Sequence, residues 1–402
     1  MAYGANAAQE RPQKTVSDPV RVMVVDDSVV VRGLIGRWLD EDPGLTVVAS
    51  HRNGKLAVDD LLKSNPDVVV LDVEMPEMDG LTALPLLLKQ KPGLVVVMAS
   101  TLTRRNAEVS LKCLALGAAD YVPKPESNSG VTTSVDFRNE VIQKVRTLGQ
   151  RAQARAGRSS APAARPAAPG PSSAPGSAAP AAPARSFAPS QPRVAAPAAP
   201  VSLRSYSSVQ PRLLLIGSST GGPQALTKLF GEIGSAITNV PVLVTQHMPP
   251  TFTAILAEHI TKASGRRAAE GVHGEPLMPG RIYVAPGGKH MTIGKQGSET
   301  VVLLNDLPPV NFCKPAVDPL FESAIPLFGG AILACVLTGM GHDGAAGSTK
   351  IANAGGSVIA QDEESSVVWG MPGAVVQAGA AAEILPLDQI GGKIIRILGG
   401  RR

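Results

Sequence analysis

Residues 151–200 read "RAQARAGRSSAPAARPAAPGPSSAPGSAAPAAPARSFAPSQPRVAAPAAP", which is Ala, Pro, Ser and Arg with almost no large apolar side chains. Such a stretch cannot bury enough surface to offset the entropy of ordering its backbone. It is expected to be a disordered, fairly extended linker. Lying inside a chain of 402 residues, it forces the protein to fold as two units, each with a core of its own. The expected boundaries are 20–148 for the first unit, 149–210 for the linker and 211–402 for the second.

Charge follows the same division. The whole chain carries 38 basic and 33 acidic residues. Residues 151–210 hold seven Arg and no Lys, Asp or Glu, which leaves 31 basic against 33 acidic residues elsewhere. The two units are near neutral, and nothing in 211–402 reads as a basic recognition helix. A nucleic-acid surface is not expected. The three cysteines, Cys113, Cys313 and Cys335, are widely spaced without a CxxC pair, which fits a reducing compartment. Residues 1–19 lack an apolar signal core, and no run approaches the ~20 apolar residues of a membrane span. A soluble, cytoplasmic protein without membrane insertion is expected.

In the first unit, short aliphatic runs at 21–27, 45–50, 67–74, 94–100 and 120–125 alternate with helix-like stretches such as 29–40 and 105–116. Continuous Val/Leu runs suit strands buried on both faces of a parallel sheet. Five βα units in this length predict a flavodoxin-like, doubly wound α/β fold. The second unit repeats the style, with strand-like runs at 212–218, 240–246, 281–286, 331–339 and 356–362. "MTIGKQGSETVVLLND" (291–306) has a Gly-containing turn between two strand-like halves and predicts a hairpin. This unit is expected to be α/β as well, with a mixed, mostly parallel sheet.

Asp26 and Asp27 end the first strand of unit one, and Asp72 ends the third. Parallel strands meet the ligand crevice at their carboxyl ends. Three carboxylates there repel one another unless a hard cation neutralises them, and Mg²⁺ with oxygen ligands is the natural candidate. Ser100 and Lys124, at the ends of the fourth and fifth strands, add the hydroxyl and ammonium that an incoming phosphoryl group needs. The alternative is an acidic loop in which Lys124 simply pairs with a carboxylate. "VVDDS", "LDVEMPEMDG" and "YVPKP" together resemble the receiver domain of two-component response regulators over about 20–148. The resemblance implies that Asp72 accepts a phosphoryl group from a histidine kinase and that Asp26 and Asp27 help to hold Mg²⁺. It also implies that Ser100, Tyr121 and Lys124 form the switch.

In the second unit, "LLLIGSSTGGPQAL" (213–226) turns from an apolar strand into a helix. It lacks the GxxxxGK[ST] of a phosphate loop and the GxGxxG of a dinucleotide site. Gly217–Gly221 does fit GxSxG with Ser219 at its centre, a turn that can present a nucleophilic hydroxyl. A nucleophile needs a base, and the base an orienting acid. His51 lies across the linker. His259 and His273 read as surface residues, and His290 could line a cleft. His247 ends the strand after the serine strand, and His342 stands beside Asp343. Two assignments remain open on these grounds: Ser219–His247–Asp343, and a hydrolase order of Ser219, an acid and His342.

"IGSSTGGP", "TQHMPPTFT", "VAPGGKHM", "LTGMGHDGAAG" and "SSVVWGMPGAV" resemble the catalytic domain of the chemotaxis protein-glutamate methylesterase (CheB) family over about 212–395. The resemblance implies Ser219 as nucleophile, His247 as general base and then acid, and Asp343 as its orienting acid. Met340, Gly341 and Gly344 would shape the Asp343 turn. It also implies glutamate γ-methyl esters on chemoreceptors as substrate, a chemotaxis histidine kinase as phosphodonor, and no cofactor for the esterase step. A glutamine carboxamide could react in the same way. A regulator whose second domain only binds a partner is the alternative of a different class.

Overall fold

The computed structural model describes residues 18–125, 134–160 and 202–400. The first domain alternates β1 (Val20–Val25), α1 (Val29–Asp40), β2 (Leu45–His51), α2 (Gly54–Ser64), β3 (Val68–Asp72), α3 (Gly80–Gln90), β4 (Val95–Thr101), α4 (Arg104–Ala115) and β5 (Asp120–Lys124). The strands pair in parallel in the order β2-β1-β3-β4-β5, the doubly wound arrangement expected. Every residue of β3 is buried, which is why its sequence is an unbroken aliphatic run ending in Asp72.

The last helix of this domain, α5 (Val135–Ser160), covers the sheet with Phe137, Val141, Val145 and Leu148. It continues past residue 148, where the first unit was expected to end. Residues 149–160 are helix, not linker. Arg155 donates to the carbonyls of Glu364 (2.9 Å) and Ser366 (3.2 Å) of the second domain. An Ala/Arg-rich sequence is a good helix former once something receives it. At the other end, Arg204 N–H donates to Ala381 O (2.9 Å) and Tyr206 Oη to Glu383 (2.6 Å), so 202–210 pack on the second domain. The expected disordered linker otherwise falls on residues 161–201, outside the described residues.

The second domain comprises β6 (Leu213–Ser218), α6 (Gly222–Ile233), β7 (Val242–Gln246), α7 (Phe252–Ser264), β8 (Ala268–Glu270), β9 (Ile282–Val284), β10 (His290–Gln296), β11 (Glu299–Asn305), α8 (Val317–Phe328), β12 (Ile332–Val336), α9 (Ala345–Asn353), β13 (Ser357–Gln361), α10 (Met371–Gln377), β14 (Glu383–Leu385) and α11 (Leu387–Leu398). Seven strands run in the order β14-β13-β12-β6-β7-β9-β8, with every pairing parallel. The predicted hairpin is β10–β11, and it stands as a separate antiparallel pair. The mixed character expected of the sheet therefore lies outside the seven strands. The edge strands β8 and β14 have three residues each, too few for a periodicity to show. The chain begins at the centre of the sheet, runs out through β7 and returns to the other side through β12. The carboxyl ends of β12, β6 and β7 thus form a topological switch point, where open α/β sheets carry their ligands.

Candidate active site and its receiver cover

At the carboxyl edge of the first sheet, Asp26, Asp27 and Asp72 offer oxygens that lie within 4.8 Å of one another. Lys124 Nζ reaches Asp26 at 2.9 Å and Asp72 at 2.7 Å. Burial pushes the Asp72 carboxyl up to about 6, with Asp26 adding to the rise and Lys124 opposing it. Burial also works against the Lys124 ammonium, yet the two carboxylates raise it above its usual value. This all-oxygen cluster, with a buried carboxyl short of positive charge, fits a hard divalent cation. Ser100 is buried at the end of β4, but its hydroxyl pairs with Ser110 Oγ on α4 at 2.7 Å.

In the second domain, β6 delivers Ser219 and β7 delivers His247. The ladder pairs Ser218 with Gln246, and His247 N–H donates to Ser218 O at 3.1 Å. Ser218 is buried and bonded to Gln246 Oε1 at 2.7 Å. The Gln246 amide in turn donates to Ser219 O at 2.9 Å, so one glutamine braces the whole turn. The two glycines after the serines are required. Gly221 sits at φ 75°, and a Cβ on Gly222 would meet Gln246 Oε1 at 1.9 Å.

Asp343 follows β12 in a loop that turns at Gly341 (φ 83°) and Gly344 (φ 87°). Its Oδ2 accepts from His247 Nε2 (2.8 Å) and Val317 N–H (2.6 Å). Its Oδ1 accepts from Gly344 N–H (3.0 Å), Asp318 N–H (3.1 Å) and Asn311 Nδ2 (3.2 Å). The carboxylate therefore sits on the N-terminus of α8, where a helix favours negative charge. Burial would raise Asp343, but the His247 contact and these N–H donors outweigh it and hold it at about 2. The neighbouring Asp318 is pushed up to about 6, chiefly by burial and with Asp343 adding to the rise.

His247 is nearly enclosed. Burial pushes its imidazole down, but hydrogen bonds to Asp343 and Cys313 prevail and lift it to about 10. Its second ring nitrogen, Nδ1, lies 3.2 Å from Cys313 Sγ. Nε2 faces the carboxylate, which leaves Nδ1 as the ring nitrogen turned toward Cys313. His342 is exposed at the mouth of the cleft, and among the described residues its ring has no hydrogen-bond partner, so no acid orients it as the hydrolase order requires. His290 is buried, bonded to Pro308 O and accepting from Ala316 N–H.

Sequence reasoning missed Asn311, Cys313 and Asp318. They stand in "PPVNFCKPAVD", a Pro-flanked stretch without strand or helix periodicity. The only available signals were a polar Asn and a thiol in an otherwise unassigned loop.

The first domain roofs this cleft. Tyr121, Asp136, Glu140 and Lys144 line a space of about 750 Å³ together with Ser219, His247 and Asp343. The Tyr121 ring stacks on Phe252, with centroids 4.5 Å apart and 7° between planes. Thr220, next to Ser219, donates to Asp120 at 2.8 Å; Gln224 Nε2 donates to Ala118 O at 2.9 Å. Arg104 pairs with Glu258 at 2.9 Å.

Two family models match the chain: the response regulator receiver domain over residues 22–136 and CheB methylesterase over residues 214–394. A receiver joined to an esterase domain defines a response regulator whose output is a hydrolase. A protein-glutamate methylesterase/protein-glutamine glutaminase of group 2 operon from Rhodopseudomonas palustris is 57% identical over 385 residues, 96% of each chain. A counterpart from Bradyrhizobium diazoefficiens is 57% identical over 402 residues, 100% of this chain and 99% of that one. Among solved structures, the Thermotoga maritima CheB methylesterase catalytic domain is 37% identical, covers 47% of this chain and 100% of that one, and has a TM-score of 0.45. The chain belongs to the CheB family of protein-glutamate methylesterases/protein-glutamine glutaminases, with an N-terminal receiver domain. Among the described residues, no helix is long and apolar enough to cross a membrane.

Proposed function

We propose that this protein hydrolyses glutamate γ-methyl esters on the cytoplasmic helices of chemoreceptors, and deamidates glutamines there, as an adaptation enzyme controlled by phosphorylation. The observation that carries the reading is His247, which rises from the strand beside Ser219 and is clamped by Asp343 at 2.8 Å. Ser219 Oγ attacks the ester carbonyl while its proton passes to His247 Nδ1. The developing oxyanion falls to backbone N–H groups ahead of α6, because Gly222 N–H is already bonded to Ser219 O and Pro223 has none. Collapse breaks the ester C–O bond, and methanol leaves with the proton from the imidazolium. Water then attacks the acyl-enzyme with His247 as base, which releases the glutamate carboxylate and regenerates Ser219. An uncharged ester becomes an anion on the receptor helix, which alters its packing and signalling. No cofactor enters these steps. Release of methanol from methylated receptor membranes tests the reading; a protein that releases none refutes it.

The receiver would act as a phosphorylation-controlled cover in the cytoplasm. Asp26, Asp27 and Asp72 would hold Mg²⁺, which neutralises the phosphoryl oxygens when bound. Asp72 would take the phosphoryl group from a chemotaxis histidine kinase, with Lys124 pairing to it. Ser100 would turn from Ser110, and Tyr121 would leave Phe252. A hydrogen bond to a charged group is worth about 1.5–3 kcal/mol, and an aromatic stack about 0.5–1.5 kcal/mol. Loss of the stack alone is therefore expected to raise the basal rate several-fold. Tyr121→Ala should be more active than wild type without phosphodonor and respond less to it, while Asp72→Asn should stay at the basal rate with or without donor. Methanol release with and without a small-molecule phosphodonor and Mg²⁺ checks both. Equal, donor-independent rates in all three proteins would exclude the cover.

The pH dependence has a definite sign. The base must be neutral, so activity is lost as pH falls through the His247 pKa. An unperturbed histidine would place that loss near pH 6–7. Its contacts raise it from 6.5 to about 10, so the basal rate of intact protein should still be climbing above neutrality. Cys313→Ala removes one of the raising contacts and frees Nδ1. Its pH–rate midpoint is expected at lower pH than wild type; an unmoved midpoint would show that the thiol does not engage the base.

A further inference from the structure

The four-residue turn Val310–Cys313 stands out on the surface of the second domain. Val310 N–H donates to Cys313 O (3.1 Å) and Cys313 N–H to Val310 O (2.9 Å), closing a two-residue loop. Both central residues are left-handed, Asn311 at φ 52° and Phe312 at φ 63°. A loop with two positive φ values favours Asn-Gly. Asn suits the first position, but a phenylalanine in place of the glycine is strained. The strained residue gains nothing from burial, since Phe312 is 102% exposed. Strain of this kind persists where a side chain must be presented in one place.

That place is the rim of the cleft. On one side of Phe312, Asn311 donates to Asp343 Oδ1; on the other, Cys313 touches His247 Nδ1. The ring is not a seal between domains, because it stays uncovered while the receiver roofs the same cleft. A methyl ester offers little to recognise, so discrimination must come from the surface around it.

We propose that Phe312 is the docking anchor for the protein substrate, an apolar knob that seats on the helix carrying the glutamyl ester. This rests on the functional reading above. On a helix, the neighbours of the ester-bearing residue lie three and four positions away. The fitting partner is a helical face with a small apolar side chain one turn from the ester, which receives the ring as the ester enters the cleft. Exposed aromatic anchors of this kind carry much of the energy of protein interfaces.

The test uses full-length wild type, Phe312→Gly and Phe312→Tyr, each with phosphodonor and Mg²⁺. The substrates are methylated receptor membranes and a glutamate γ-methyl ester dipeptide. Glycine accepts the left-handed backbone, so the variant should fold, which its thermal midpoint verifies. The ratio of receptor to dipeptide kcat/KM is expected to fall about tenfold for Phe312→Gly, mainly through a higher KM on receptor, and to be restored by Phe312→Tyr. An unchanged ratio, or an equal loss on both substrates, overturns the inference. So does a change in self-association, by sedimentation, in place of a change in ratio. A wild type that cleaves the dipeptide but no receptor ester overturns the functional reading itself, and this inference with it.

Discussion

Ser219→Ala is expected to abolish methanol release, lowering turnover by on the order of 10⁶-fold, while Ser218→Ala keeps most of it. The two serines are adjacent, but the strand alternation turns them to opposite sides. Ser218 is buried and spends its hydroxyl on Gln246, whereas the Ser219 hydroxyl has no hydrogen-bond partner among the described residues and faces the cleft. Ser218→Ala should cost about 1 kcal/mol of stability, because it leaves the Gln246 carbonyl without its donor. Some slackening of the turn follows, since Gln246 also holds Ser219 O. Initial-rate assays with thermal melts separate the two effects. A dead Ser218→Ala beside an active Ser219→Ala would put the nucleophile one residue off. A Ser219/His247 double variant should be no worse than the worse single variant, since one mechanism is lost only once.

The second large effect is expected at Asp343. Asp343→Asn should lower turnover by on the order of 10⁴-fold, less than loss of the nucleophile. The acid does more than orient His247. It accepts from three backbone N–H groups and Asn311 as well as from the imidazole. An asparagine offers a single carbonyl oxygen, so its amide nitrogen must face donors. Either His247 adopts the wrong tautomer or the start of α8 loses its acceptor. The second outcome would also cost about 1–3 kcal/mol of stability. Turnover measured at a temperature where the variant is fully folded isolates the tautomer effect. Near-normal turnover there would remove Asp343 from the mechanism.

Much of this arrangement is legible in the chain. Unbroken aliphatic runs mark β1, β3, β6 and β7, and polar residues at their ends mark Asp26, Asp72, Ser219 and His247, because buried parallel strands have only their ends free for chemistry. What escapes is set by long-range contacts. Asn311 and Cys313 sit in a turn without the usual Gly, so nothing local announces it. Asp318 reads as an ordinary residue at the start of a helix until Asp343 arrives beside it. Residues 149–160 share Ala and Arg with the stretch that follows but hold no Pro, and acceptors on Asp67, Glu363, Glu364 and Ser366 receive their side chains. The Thr220–Asp120 bond joins positions 100 residues apart.

The central place of β6 has a consequence for synthesis. It is the first strand of its domain to leave the ribosome, and β7 can pair with it almost at once. Its other edge belongs to β12, which begins at Ile332, more than 100 residues downstream. At about 5–20 residues per second, that edge waits roughly 5–25 s for its partner. During that interval the Leu-Leu-Leu-Ile core of β6 presents unpaired backbone beside exposed apolar side chains, a template for pairing with any neighbouring nascent chain. Starting a parallel sheet from its middle thus brings Ser219 to the switch point but leaves the growing polypeptide dependent on dilution or a chaperone until Val336 has emerged.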